Sequence, residues 1–407
     1  MQQSLLDPAR RPVSRRALLA GTATVASSAL AGCAALGSDD PVETYRSSPD
    51  WRFARHDTYN SGHAPVELGS PDERWRLSLD GAVRTVTLVG PDGFVGTSAS
   101  AEDGRSWVGN VGLGDGTRSW TRPADGRPLG TAYTHDTLYV ATRSDAASGV
   151  ATAYVPEDGE LRWHEDLRAA SGAPVVGGGL AYFPTDTGLR AWSSGEGTER
   201  WRLASSAATF APALTTDGLF VAAADGPLGA FDADVVDELL SDADAPTRRW
   251  RSDVAAVTPP VTTDERVLVG TAADELRGFS HEGDPVWTES LPGRPAPPVD
   301  ADGTAVVATT ASDGVAIRAL DVGSGDRRWE RSLDGSLAAP PVATDDAVVL
   351  PVTGGENGER HSIRALAVTD GSSLWERPLP SPASAIAVSD DALVVGTERH
   401  LLAFGSE

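Results

Sequence analysis

Short runs of alternating apolar and polar residues fill most of this chain, separated by acidic or glycine-bearing turns. Ile317-Arg318-Ala319-Leu320-Asp321 alternates as a half-buried strand does. The chain then turns at Gly323-Ser324-Gly325 and resumes at Trp329-Glu330-Arg331-Ser332-Leu333, which predicts a β-hairpin with an aromatic residue heading its second arm. The same unit returns at Ala365 to Trp375, Ala153 to Trp163 and Ala191 to Trp201. Gly278 to Trp287 is a shortened copy and Asn110 to Trp120 a weaker one. Apolar triplets such as Val267-Leu268-Val269 and Leu393-Val394-Val395 predict a buried strand ahead of each hairpin. Elements such as Pro259-Pro260-Val261 and Pro340-Pro341-Val342 precede those triplets. Proline has no N–H for a ladder and so belongs at a strand's first residue.

The repeat is best measured by its tryptophans: Trp75, Trp120, Trp163, Trp201, Trp250, Trp287, Trp329 and Trp375, spaced 37 to 49 residues apart. A period near 43 matches one four-stranded propeller blade. In six of the eight copies a glycine stands four residues before the tryptophan, supplying the positive φ of a tight hairpin. Glu73 to Leu79 has the outer-strand signature with no strands before it, whereas Ser384 to Phe404 supplies three strands and no closing tryptophan strand. Each end therefore lacks what the other has. The expected fold is all-β: an eight-bladed β-propeller whose N-terminal strand closes the last blade and removes the open edges. One large indole per blade, at equal height, would wedge between neighbouring blades as a girdle.

Two stretches depart from the repeat. Residues 231–250 hold Val235, Val236, Leu239 and Leu240 on one helical face, which predicts a short inserted helix. Thr353 to His361 is a long polar loop. Asp300-Ala301-Asp302-Gly303 has acidic spacing suggestive of calcium, but parallel turns in other repeats make it a plain turn.

The hairpin pattern A-x-D-x-x-T-G-x-x-x-W resembles the tryptophan-docking repeat of the pyrroloquinoline quinone (PQQ) repeat family. Ala319, Asp321, Ser324, Gly325 and Trp329 form the nearest copy, with Ser in place of Thr. Residues 50–65 are aromatic-rich and resemble the lead-in segment of quinoprotein-like propellers through Trp51, Phe53, Arg55, Asp57, Ser61 and Gly62. His56 and His63 in that segment are expected to hydrogen-bond inside a packed plug rather than to bind metal. The resemblance covers residues 50–404 and implies the propeller fold. It does not imply a cofactor, since many members of the family bind no quinone.

Composition narrows the setting. Acidic residues number 58 against 34 basic ones, for a net charge of −24, and no lysine is present. Such a surface should repel nucleic acid and anionic headgroups. Acidic, lysine-free composition resembles that of secreted proteins of extreme halophiles, although GC-rich codon bias would also deplete lysine. With one cysteine, no intrachain disulfide forms.

The N-terminus reads as an address. Ser14-Arg15-Arg16-Ala17-Leu18-Leu19 has the twin-arginine pattern, and an apolar run of small residues extends to Ala31. Leu30-Ala31-Gly32-Cys33 resembles a lipobox, and the sole cysteine stands at its modified position. The expected organisation is a twin-arginine lipoprotein signal peptide over 1–32, a flexible tether over 33–49 and the propeller over 50–407. Arg15 and Arg16 would direct export, and lipidated Cys33 would anchor the mature chain to the outer face of the cytoplasmic membrane.

Two functions follow. The first is an extracytoplasmic, non-catalytic binding or scaffold module, with a protein partner or surface glycan and no cofactor. Its architecture is similar to that of the propeller lipoprotein of the bacterial outer-membrane assembly complex. The alternative is a PQQ-dependent dehydrogenase of alcohols or sugars. For that activity the resemblance implies calcium held by a Glu and an Asn, a catalytic Asp and usually an adjacent cysteine pair. Only Asn60, Asn110 and Asn357 are available as asparagines, and Cys33 stands alone. Asp186 and His164 are isolated, and no catalytic or metal-ligating residues are assigned.

Overall fold

A computed structural model describes residues 43–99, 105–144, 148–216, 218–232, 245–311, 314–354 and 360–405. These residues fall within one compact unit, Asp40–Glu407. All regular structure among them is β, and no helix there is long and apolar enough to cross a membrane.

The strands form a β-propeller with eight four-stranded antiparallel units among the described residues. In chain order, blades 1 to 7 span residues 81–123, 127–166, 175–204, 213–256, 261–290, 299–333 and 342–379. Blade 8 takes three strands from residues 383–405 and its outer strand from Asp72–Ser78, which pairs antiparallel with His400–Gly405. The two ends of the chain thus complete one sheet. Ser384 Oγ of blade 8 also donates to Val83 O of blade 1 at 2.6 Å. Blades 4 and 5 are joined by a single ladder pair, Ala256 with Thr271, at the end of the nine-residue fourth strand of blade 4. Blade 7 gains a small extra strand, Ser336–Leu337, beside Val352 and Thr353.

The core lies between blades. Val348 and Leu350 of blade 7 pack with Val306, Ala308 and Ile317 of blade 6 in one buried cluster. Middle strands such as Leu393–Thr397 are buried on both faces, whereas outer strands such as Leu161–Asp166 expose every residue except the tryptophan. That difference explains why the apolar triplets run without a break while the tryptophan strands alternate.

Each repeat tryptophan faces a small cross-strand partner: Asn110, Ala153, Ala191, Ala230, Gly278, Ala319, Ala365 or Ala403. A register irregularity follows in every blade, re-aiming the strand beside the indole. The alanine that opens the repeat motif is therefore the residue that leaves room for the ring.

Two boundaries differ from expectation. The segment expected as tether packs on the propeller from Thr44 onward: Thr44 O accepts from Thr58 N at 3.3 Å, and Tyr45 Oη bonds Thr134 Oγ1 at 2.6 Å. Tyr45 also lies 5.8 Å from the Phe53 ring, so burial of an aromatic residue outweighs the polar composition of its neighbours. The second difference is at Asp300. Asp302 and Gly303 form the expected turn with positive φ, but Asp300 itself is a buried carboxylate. The inserted helix expected from Val235, Val236, Leu239 and Leu240 lies outside the described residues, as do Arg15, Arg16, Cys33 and the middle of the 353–361 loop. Thr353 and His361 at that loop's ends are ladder partners.

Candidate functional site at the propeller axis

A propeller's innermost strands present unpaired backbone groups to the channel, and these need partners. Residues 51–62 supply them. Inner-strand N–H groups of Leu88, Tyr133, Leu214, Thr262, Asp300 and Ala343 donate to the carbonyls of Trp51, Arg52, Thr58, Tyr59, Ser61 and Gly62, at 2.7–2.9 Å. Six blades each donate one such backbone bond to this coiled segment. It is a plug, built as an extra partner strand wound inside the ring.

Two side chains extend the same logic. The inner strands of blades 4 to 7 follow prolines, and the carbonyls of Pro212, Pro260, Pro298 and Pro341 accept from the plug. Arg55 donates through Nη1 to Pro341 O at 3.2 Å and through Nη2 to Pro298 O. Asn60 Nδ2 donates to Ala211 O, Pro212 O and Pro260 O at 3.2, 3.1 and 3.0 Å. Burial pulls the Arg55 pKa down to about 10, with the Asp57 charge opposing that shift, so the guanidinium remains charged at neutral pH. Asp57 is fully buried and accepts from Tyr59 N, Ser61 N and Ser61 Oγ, holding the turn in shape. Gly62 has φ +66°, and a Cβ there would lie 2.5 Å from Arg55 Nη2, so only glycine fits beside that guanidinium.

The histidines of the plug are hydrogen-bonded. His56 Nε2 lies 2.9 Å from Ser48 O, and His63 Nε2 lies 2.9 Å from Asp345 Oδ1. Burial lowers the His63 pKa, with Asp345 opposing. A latch at the plug's outer side joins Arg46 to Asp300 at 3.2 Å and also to Asp264. Arg46 covers the Tyr59 ring at 5.0 Å. Desolvation raises the Asp300 pKa to about 6, and Arg46 holds it back from rising further.

The tryptophans lie at the rim, away from the plug. The indole N–H of one blade bonds a carbonyl of the next: Trp75 to Leu113, Trp120 to Pro156, Trp163 to Ser194, Trp250 to His281, Trp287 to Val322 and Trp329 to Val368, at 2.7–2.9 Å. Trp375 bonds Gly69 O of the segment leading into blade 8. Trp201 Nε1 has no partner among the described residues, and the matching hairpin of blade 4 contains residues 233–244, outside them. The repeat glycine has a second reason beyond its φ of +68° to +93°. It is the surface on which the preceding blade's indole lies: a Cβ on Gly159 would stand 2.6 Å from the Trp120 ring.

The candidates for other chemistry are dispersed. Asp186 pairs with Arg143 at 2.7 Å, and His164 is exposed on an outer strand. Asn60 is spent on carbonyls, Asn110 Nδ2 donates to Asp92 Oδ1 at 3.0 Å, and Asn357 lies outside the described residues. No three His, Cys, Asp or Glu side chains converge to hold a metal among the described residues. Sequence reading missed the capping roles of Arg55 and Asn60 and the burial of Asp300. Their partners are more than 150 residues away in sequence; only the pairing of polar residues with repeated prolines hinted at them.

Eight antiparallel blades, seven tryptophans hydrogen-bonded across blade junctions and a lead-in plug define a PQQ-repeat β-propeller. A family profile described as outer membrane protein assembly factor BamB matches residues 104–235 and 236–403, and the chain belongs to that family. Among solved structures it is similar to BamB from Moraxella catarrhalis, at 15% identity over 83% of this chain and 98% of that one, with a TM-score of 0.63. It is also similar to quinohemoprotein alcohol dehydrogenase ADHIIG from Pseudomonas putida HK5, at 12% identity over 89% and 81% of the two chains, TM-score 0.65. A europium-containing methanol dehydrogenase aligns at 10% identity over 89% and 99%, TM-score 0.67. At these identities the likeness concerns the fold. No curated protein matches the chain.

Proposed function

We propose that this protein is an exported, lipid-anchored propeller that serves as a non-catalytic binding module, presenting its faces to a protein partner outside the cytoplasmic membrane. The observation that carries this reading is the plug. Arg55 and Asn60, buried at the axis, donate to inner-strand carbonyls of four blades, and buried Asp57 shapes the turn that carries them. Membership in a family described as an assembly factor supports the same direction. The twin-arginine pattern at Arg15 and Arg16 and the lipobox at Cys33 support the address, and the charge of −24 suits a high-salt exterior.

Crosslinking on intact cells, followed by mass spectrometry, should recover a recurring protein partner. Intact mass of the mature chain should show a lipidated N-terminus at Cys33; an unlipidated chain beginning at Met1 would refute the anchor. Dye-linked oxidation of an alcohol or sugar after adding PQQ and calcium would replace the scaffold reading with the dehydrogenase one.

A further inference from the structure

The plug closes only part of the channel. Its bond to blade 1 is at Leu88, whereas Arg84, Thr85 and Val86 lie further back along the same strand. At about 3.3 Å per residue, Arg84 stands roughly 13 Å from that bond. There a cavity of about 150 Å³ opens between the inner strands of blades 7, 8, 1 and 2, with Ala54 and Arg55 of the plug on one side.

Its lining is unusual for this chain. Two arginines, Arg55 and Arg84, face it together with apolar Val86, Leu129 and Ile386, and no carboxylate lines it. In a protein with 58 acidic residues, an acid-free pocket holding two guanidinium groups runs against the overall charge. Neither arginine has an ion pair within 4 Å among the described residues. Arg55 Nε is buried without an acceptor, and Arg84 uses only Nε, toward Ser98 Oγ at 2.7 Å. The Arg84 pKa is lowered first by burial and then by the charge of Arg127, with Glu398 offsetting part of this. Unpaired, partly desolvated positive charge next to an apolar wall is chemically matched by an anion with a short hydrocarbon tail. The volume equals that of cavities that hold a benzene-sized molecule.

We propose that this axial cavity binds a short-chain carboxylate, with its anionic end on Arg84 and its alkyl part against Val86, Leu129 and Ile386. The same group can arrive as a free small acid or as the C-terminal carboxylate of a peptide. The site does not depend on the scaffold reading.

The test uses the full chain in molar chloride, with calorimetry of butyrate and of a short valine-ended peptide with free or amidated C-terminus. Butyrate or the free peptide should bind in the millimolar range or tighter, and Arg84→Gln should weaken binding at least roughly tenfold. Butyrate binding points to a free acid as the source; binding of the free but not the amidated peptide points to a chain end. Ile386→Phe fills the cavity from another blade and should block binding even if Arg84→Gln fails to fold. The proposal is overturned if neither carboxylate binds above the chloride background, or if folded Arg84→Gln and Ile386→Phe both bind like the parent.

Discussion

The rim and the axis of this propeller solve the same problem, joining blades, in opposite ways. At the rim one device is repeated: an indole from one blade lies on the glycine of the next and bonds its carbonyl. At the axis a single aperiodic segment visits six blades with a different residue each time. The rim works mainly by packing, so its contributions are local and separable. The axis works by satisfying polar groups, so its members depend on one another. Removing a rim ring leaves a cavity, whereas removing an axial side chain strands buried carbonyls.

This contrast can be broken or sharpened by substitutions. The largest effect is expected for Trp329→Ala, about 4 kcal/mol of lost stability by denaturant titration, from the cavity left between blades 6 and 7. Arg55→Met should cost about 3 kcal/mol, because Pro298 O and Pro341 O lose their donor inside the ring. If it costs nothing, the plug is a filler and the contrast fails.

Asp300 tests the axis through pH. Its folded pKa of about 6 lies above the ordinary carboxylate value of 3.8, so the native state holds the proton more tightly. The resulting stabilisation is complete below about pH 4 and is lost as pH rises through 6, amounting to on the order of 3 kcal/mol. Asp300→Asn should flatten that part of the stability–pH curve, and an unchanged slope would discount the buried carboxylate.

A smaller comparison lies within the rim. Trp329→Phe removes the bond to Val368 O and should cost about 1 kcal/mol more than Trp201→Phe, whose indole N–H lacks a partner among the described residues. Smallest of all, Arg76→Gln at the exposed pair with Glu73 should change stability by less than about 0.5 kcal/mol.

The rim was far more legible in the sequence than the axis, and the reason is periodicity. Trp329 and Gly325 recur with their neighbours at steady spacing, so blade number and ring closure by Glu73–Leu79 could be read from composition patterns. Even so, the pattern did not reveal that the glycine serves the preceding blade's ring, since Gly159 meets Trp120 and not its own Trp163. At the axis, Trp51 and Arg55 announced a special segment without naming its partners. Tyr45 and Arg46, with the polar look of a tether, turned out to be docked on Thr134 and Asp300. Asp300 looked like any turn acid because burial is a property of the assembled ring.

Local chemistry was enough to specify strands, hairpins, glycine turns and the small residue opposite each indole, because those depend on neighbours within one blade or the next. The plug's bonds to proline carbonyls, the raised pKa of Asp300 and the acid-free cavity at Arg84 arise where all the blades meet. They come from segments up to 332 residues apart in sequence, Ala54 and Ile386 at the cavity, brought to a shared axis where unpaired polar groups must find each other.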